Sequence, residues 1–171
     1  MKKIFVTYFE PFGGRTTNAS EEVVTLLRDY QIKELPVSWE KVPFLIDDIL
    51  SNEPDYLFLV GEAGSYKEIS MEKYAHNIAH GVDNFGVMKN DEPIISGGAD
   101  TLITAFDISK LPYRISENAG KYLCNYTYYQ ALLKTKKTKV LFIHLPYIDE
   151  TNNTLTNLKD TLSNIIEELI K

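Results

Sequence analysis

Tyr56-Leu57-Phe58-Leu59-Val60 is an apolar run without polar alternation, preceded by Pro54 and closed by Gly61-Glu62-Ala63-Gly64. A short run of this kind suits a strand covered on both faces, as in a parallel sheet. Ile4 to Thr7 and Val140 to Ile143 share its character. Amphipathic segments lie between and after these runs. Val23, Val24, Leu27 and Tyr30 follow Asn18, a good N-cap, with Glu21 placed to reach back as in a capping box. Val42, Leu45, Ile46, Ile49 and Leu50 keep a helical period up to Asn52, and Pro54 stops it. Leu155, Leu158, Leu162, Ile165, Ile166 and Leu169 predict a last helix capped near Thr151 or Asn152. Strands alternating with helices predict an open α/β sheet with helices on both faces.

The stretch from Glu62 to Ser116 is less regular. Glu68 to His76 reads as a strand, Gly97-Gly98 as a turn, and Tyr113 to Ile115 as one more short strand. No repeat or linker divides the chain, so residues 1–171 are expected to form one domain. With 44% hydrophobic and 25% charged residues the composition is that of a globular protein. The net charge of −6, with scattered Lys and Arg, argues against a nucleic-acid partner. No apolar stretch approaches the roughly 20 residues of a membrane span, and the N-terminus lacks a secretory pattern. The single cysteine excludes an intrachain disulfide and points to a reducing, cytoplasmic compartment.

In open α/β sheets, ligands bind beyond the carboxyl ends of the strands. Phe9 to Gly14, Gly61 to Gly64 and His144 to Tyr147 follow the three strands and should meet at one crevice. Cys124 falls near the start of the segment Lys121 to Leu133, where Tyr122, Tyr129, Leu132 and Leu133 keep a helical spacing. A lone cysteine is often a small buried apolar residue. At a helix N-terminus with His144 nearby, however, its pKa is expected to fall, giving a nucleophile and a proton donor for a leaving amine. A third group normally orients the imidazole, and Glu72, Glu62, Glu10 and Asp83 are all candidates. His76 and His80 do not form a zinc motif, because Asn77 stands where the metalloprotease glutamate would be. Neither GxxxxGK[ST] nor GxGxxG occurs, so no cofactor is expected.

Several blocks, in order and spacing, resemble the pyroglutamyl peptidase I family of cysteine peptidases. They are Phe9-Glu10-Pro11-Phe12-Gly13-Gly14, the run from Gly61 through Glu72 to Asn77, and Asp83-Asn84-x-Gly86 with Asp91-Glu92-Pro93-Ile94 and Gly97-Gly98. Two more follow, Ser116-x-x-Ala119-Gly120-x-Tyr122-Leu123-Cys124-Asn125 and Phe142-Ile143-His144-Leu145-Pro146-Tyr147. The resemblance implies a three-layer α/β/α sandwich with a mostly parallel central sheet. It implies removal of an N-terminal pyroglutamyl residue from a peptide through a thioester, with Cys124 as nucleophile, His144 as base and acid, and Glu72 orienting His144. Phe9 and Phe12 would flank the lactam ring and Glu62 would bind it, and the protein would assemble as a homo-oligomer, a tetramer in the family.

Against the family's pattern, Tyr8, Glu62, Tyr66 and Tyr74 replace the usual residues, a connecting helix between Ile108 and Pro112 is missing, and Asp29 to Pro36 is trimmed. A carboxylate at 62 accepts a lactam N–H but cannot donate to its carbonyl. These departures leave one alternative, an idle or altered homologue that binds a small lactam or a peptide N-terminus.

Overall fold

In the computed structural model, which describes residues 2–171, the three apolar runs become β1 (Ile4–Phe9), β3 (Tyr56–Glu62) and β10 (Lys139–Leu145). They pair in parallel, β1 and β10 on either side of β3. On the outer side of β1 lies a parallel edge strand, β2 (Gln31–Leu35). Its sequence, Gln-Ile-Lys-Glu-Leu, is mostly polar, because an edge strand buries only part of its surface. Beyond β10 come two short strands of reversed direction, β4 (Ser70–Glu72) and β9 (Arg114–Ser116). The central sheet thus runs β2-β1-β3-β10-β4-β9.

Alternation along the strands sends side chains to two separate cores. Phe5, Phe9, Leu57, Leu59, Val140 and Phe142 face α2 (Val42–Ser51) and α3 (Leu123–Lys134). Val6, Phe58, Val60, Leu141, Ile143 and Leu145 face α1 (Ala19–Val24) and α4 (Leu155–Leu169). The result is the expected α/β/α layering around a mostly parallel sheet.

Element boundaries differ where local hydrogen bonding overrides periodicity. Asn18 caps α1 by accepting from Ser20 N–H, but the helix ends at Val24, leaving Leu27 and Tyr30 beyond it. The last helix is capped by Thr154, because Asp149 draws the N–H groups of Thr151, Asn152 and Asn153 into a turn of its own. Glu68 to His76 is two strands rather than one. The chain leaves the central sheet at Lys73, and β5 (Tyr74–His76) pairs instead with β8 (Thr101–Ile103). A hairpin of β6 (Ala79–Val82) and β7 (Met88–Glu92) follows. Between Ile108 and Lys110 there is a single 3₁₀ turn.

These small sheets lie outside α3 and bury it from the side away from the central sheet. Asn125 ties the layers together. Fully buried, it accepts from His76 N–H at 2.8 Å and donates to His76 and Ile78 carbonyls at 2.8 and 2.9 Å. Asn125→Ala would leave the His76 N–H and the Ile78 carbonyl without that partner, so a loss of about 3 kcal/mol is expected. Urea unfolding checks it, as a lowered midpoint at unchanged slope.

Candidate active site

The start of α3 places a thiol against the sheet. Tyr122 occupies the N-cap position without a side-chain cap bond, its hydroxyl donating instead to the Val82 carbonyl at 2.6 Å. Cys124 is then the second helical residue and lies over β3 at Gly61. A Cβ built on Gly61 would stand 2.8 Å from Cys124 Sγ and 2.8 Å from Phe142 Cζ, so only glycine lets the thiol settle there. In the sheet Gly61 is in register with His144 on β10. Side chains at that register position, and at Phe142 two residues earlier, point to the same face as the thiol.

His144 is 4% exposed and its ring is confined by aromatic neighbours. The Phe142 ring lies 4.7 Å away between centroids, and the Tyr66 ring stands edge-on at 5.4 Å. Nδ1 of His144 meets Glu72 Oε1 at 2.7 Å. Glu72 comes from the antiparallel strand β4, where it pairs with Phe142 and so lies diagonally across from His144 on the same face. Glu72 is fully buried, and its Oε2 has no hydrogen-bond partner. Of the four carboxylates open as imidazole partners, Glu72 is the one in contact. Glu10 accepts from Val37 N–H and Asn84, while Asp83 accepts from the N–H groups of Trp39, Phe85 and Val87.

Burial pushes the Cys124 thiol up to about 12, and the charges of Glu72 and Glu62 add to the rise. The placement near a helix N-terminus had predicted the opposite direction. Desolvation of a thiolate outweighs the partial positive charge of the helix end here. Packing here thus favours the thiol over the thiolate at neutral pH. With His144 Nδ1 bonded to Glu72, Nε2 is the nitrogen left to accept a proton.

Phe9 and Phe12 both lie on the thiol's side of the sheet. Phe9 is 2% exposed and packs on Phe142 at 6.5 Å, whereas half-buried Phe12 meets Tyr122 at 5.7 Å. Glu62, expected to bind the lactam, is placed on the face away from the thiol. It follows Gly61, so strand alternation turns it to the α1 face, where it accepts from Ala19 N–H at 2.7 Å and pairs with Arg15 at 3.3 Å. The carboxylate at the head of α1 is thus Glu62 and not Glu21. Arg15 also lies over the Tyr147 ring at 4.0 Å, and that ring covers Gly64, where a Cβ would come within 2.2 Å. The loops after β1, β3 and β10 are joined by this stack. His76 and His80 are spent elsewhere, on the Glu117 carbonyl and on Asp91. Tyr66 and Arg114 had no signal in periodicity or spacing, because their contacts are made between a loop and a three-residue strand distant in sequence, whereas Tyr122 keeps the helical spacing of its segment and serves as the N-cap of α3.

Comparison with known proteins identifies the family. The sequence model described as Pyroglutamyl peptidase matches residues 2–168. A pyrrolidone-carboxylate peptidase of Fusobacterium nucleatum is 34% identical over all of this chain and 89% of its own length. That of Thermosipho africanus is 34% identical over 98% of this chain and 93% of its own. Among solved structures, a mutant pyrrolidone carboxyl peptidase from Pyrococcus furiosus superposes with a TM-score of 0.89 at 30% identity, covering 98% of each chain. The pyroglutamyl peptidase I of Bacillus amyloliquefaciens gives 0.88 at 26% identity, over 98% of this chain and 94% of that one. With nearly its whole length matched, and with a cysteine, a histidine and a glutamate gathered on one face at the sheet's carboxyl end, the chain belongs to the pyroglutamyl peptidase family.

Proposed function

We propose that this protein is a cysteine peptidase that removes an N-terminal pyroglutamyl residue from peptides. The observation that carries the reading is the Glu72–His144 hydrogen bond on the sheet face where the Cys124 thiol rests. Because the thiol is neutral at rest, His144 acts as a general base during attack, and not as half of a preformed ion pair. Sγ bonds to the pyroglutamyl carbonyl carbon while its proton passes to His144 Nε2. Glu72 holds Nδ1–H and stabilises the imidazolium. The N–H groups at the start of α3 are suited to the oxyanion, since the helix's first amides lack intrahelical partners. Collapse of the tetrahedral intermediate breaks the C–N bond, and the departing amine takes the proton from Nε2. Water then attacks the thioester, with His144 accepting its proton and returning one to sulfur.

The lactam is flat and neutral, which calls for apolar walls and few polar contacts. Phe12 supplies such a wall together with Tyr122, which Trp39 braces edge-on at 5.4 Å, and Phe9 lies buried behind. Glu62 serves by fixing α1 and Arg15. Among the described residues no helix is long and apolar enough to cross a membrane. A catalytic thiol that must stay reduced fits a cytoplasmic setting.

Release of aminomethylcoumarin from its pyroglutamyl amide measures the activity. Cys124→Ala is expected to lower kcat by about 10³-fold or more, and Glu72→Gln by about 10²-fold, with little change in KM. No thiol-dependent release by the unaltered protein would instead favour the idle, lactam-binding homologue. The protonation state of the thiol is tested separately by the pH dependence of iodoacetamide alkylation. With a pKa pushed up to about 12, Cys124 should react more slowly than a free thiol at pH 7, its rate climbing through pH 9 and 10 without a plateau. A flat rate from pH 6 to 8 would mean a preformed thiolate and imidazolium.

A further inference from the structure

The hydroxyl of Tyr66 converges on the oxygen that holds the imidazole. It lies 3.0 Å from Glu72 Oε1, the atom that meets His144 Nδ1, 3.0 Å from Ser116 Oγ and 3.1 Å from the Asn118 carbonyl. Two hydroxyl protons, one each from Tyr66 and Ser116, are available to this cluster. Glu72 and the Asn118 carbonyl can only accept, and Ser116 Oγ is itself within 3.2 Å of that carbonyl. A carboxylate is the stronger acceptor, so the Tyr66 proton goes to Glu72 while Ser116 serves either Tyr66 or Asn118. The ring is fixed on both sides. One edge meets His144, and the Arg114 guanidinium lies over its face at 4.3 Å while donating to Ser70 at 2.7 Å.

Resting on the assignment of His144 and Glu72 given above, we propose that Tyr66 is a positioning residue whose hydroxyl shares Glu72 Oε1 with His144 Nδ1 and thereby sets both the imidazole's orientation and its basicity. A donor on Oε1 withdraws part of the charge that would otherwise stabilise the imidazolium. Burial and the Glu72 charge hold the Tyr66 phenol above its ordinary range, so it stays a donor across the working pH. The other charged or titratable groups beside the imidazole are Cys124, Glu72 itself and Arg114 behind Tyr66, while Glu62, paired with Arg15 of the loop after β1, lies on the opposite face of the neighbouring strand.

Tyr66→Phe keeps the ring and removes only the hydroxyl. The titration of His144, followed by NMR of ring-labelled histidine in the full chain, should move up by about half to one pH unit. The acid limb of kcat/KM should move with it. At the pH plateau kcat should fall about three- to tenfold with KM within about twofold, since Tyr66 does not touch the substrate. Ser116→Ala, which leaves Tyr66 to divide its proton between Glu72 and Asn118, should shift His144 in the same direction by less, and it keeps the question open to test if Tyr66→Phe folds poorly. A His144 titration unchanged or lowered in the variants overturns the role of Tyr66 even where turnover remains dependent on Cys124. Conversely, the NMR shift can appear in a protein that shows no turnover at all, in which case the positioning contact stands and the peptidase reading falls.

Discussion

A helix whose middle is buried on every side must dispose of its polar groups inside the protein, and α3 is such a helix from Asn125 to Ala131. The central sheet covers one side of it, and β5, β6 and β8 lie across the other. Its buried residues include Asn125, Tyr126, Thr127, Tyr128, Tyr129 and Gln130, an unusually polar set for a core. The tyrosines resolve this by donating outward to carbonyls: Tyr126 to Trp39, Tyr128 to Glu72 and Tyr129 to Ala99, at 2.7 to 3.1 Å. Tyr122 does the same with Val82 at the cap. An unpaired buried hydroxyl costs more than a well-made bond returns, so each tyrosine fixes the segment it reaches as firmly as it fixes the helix. Four segments distant in sequence are thereby referenced to the helix that carries Cys124.

The opposite wall of the site depends on strand direction. Were β4 parallel to β10, Glu72 would sit at a different height relative to His144. The antiparallel register sets Glu72 opposite Phe142 and Ser70 opposite His144. Glu72 and His144 are then diagonal neighbours on one face, a separation of about 7–8 Å that a glutamate and an imidazole can close. Tyr128 contributes from beneath, because its hydroxyl holds the Glu72 carbonyl and so ties the strand bearing the carboxylate to the helix bearing the thiol.

This arrangement explains what could be read in advance. The apolar runs around Phe5, Phe58 and Leu141 had no alternative but a doubly covered sheet, and the helical stripe of Leu158, Leu162 and Ile165 had none but to cover it. The crevice beyond the strand ends followed from topology, which brought Cys124 and His144 to one edge. Glu72, by contrast, was one of four carboxylates on residue grounds alone. Its selection needed either the family resemblance or the register of a three-residue strand too short to leave a period. Glu62 shows the limit of motif position as a guide. Its place in the sequence suggests the pocket, but a strand turns successive side chains to opposite faces, and Gly61 already occupies the face of the thiol. The periodicity of α3 was similarly weak because Asn125 to Ala131 are buried all round, with no solvent face to contrast, and Leu133, 42% exposed in the last turn, lies off the stripe it seemed to extend.

The packing that orders α3 also bears on the protonation of the thiol. A helix N-terminus offers a partial positive charge of about half a unit, and this alone would favour a thiolate. Cys124, however, is packed against Gly61 and Phe142 with the carboxylates of Glu72 and Glu62 in its field, and the cost of placing a third negative charge there exceeds what the helix end returns. A neutral thiol avoids that cost until the substrate is in place. In the proposed mechanism the proton moves to His144 during attack, the imidazolium then faces Glu72 as a compensating pair, and the negative charge leaves sulfur for the substrate oxygen. In that mechanism the carboxylate that discourages a thiolate at rest is the one that favours proton transfer in the transition state, so one buried charge would serve both ends of the step.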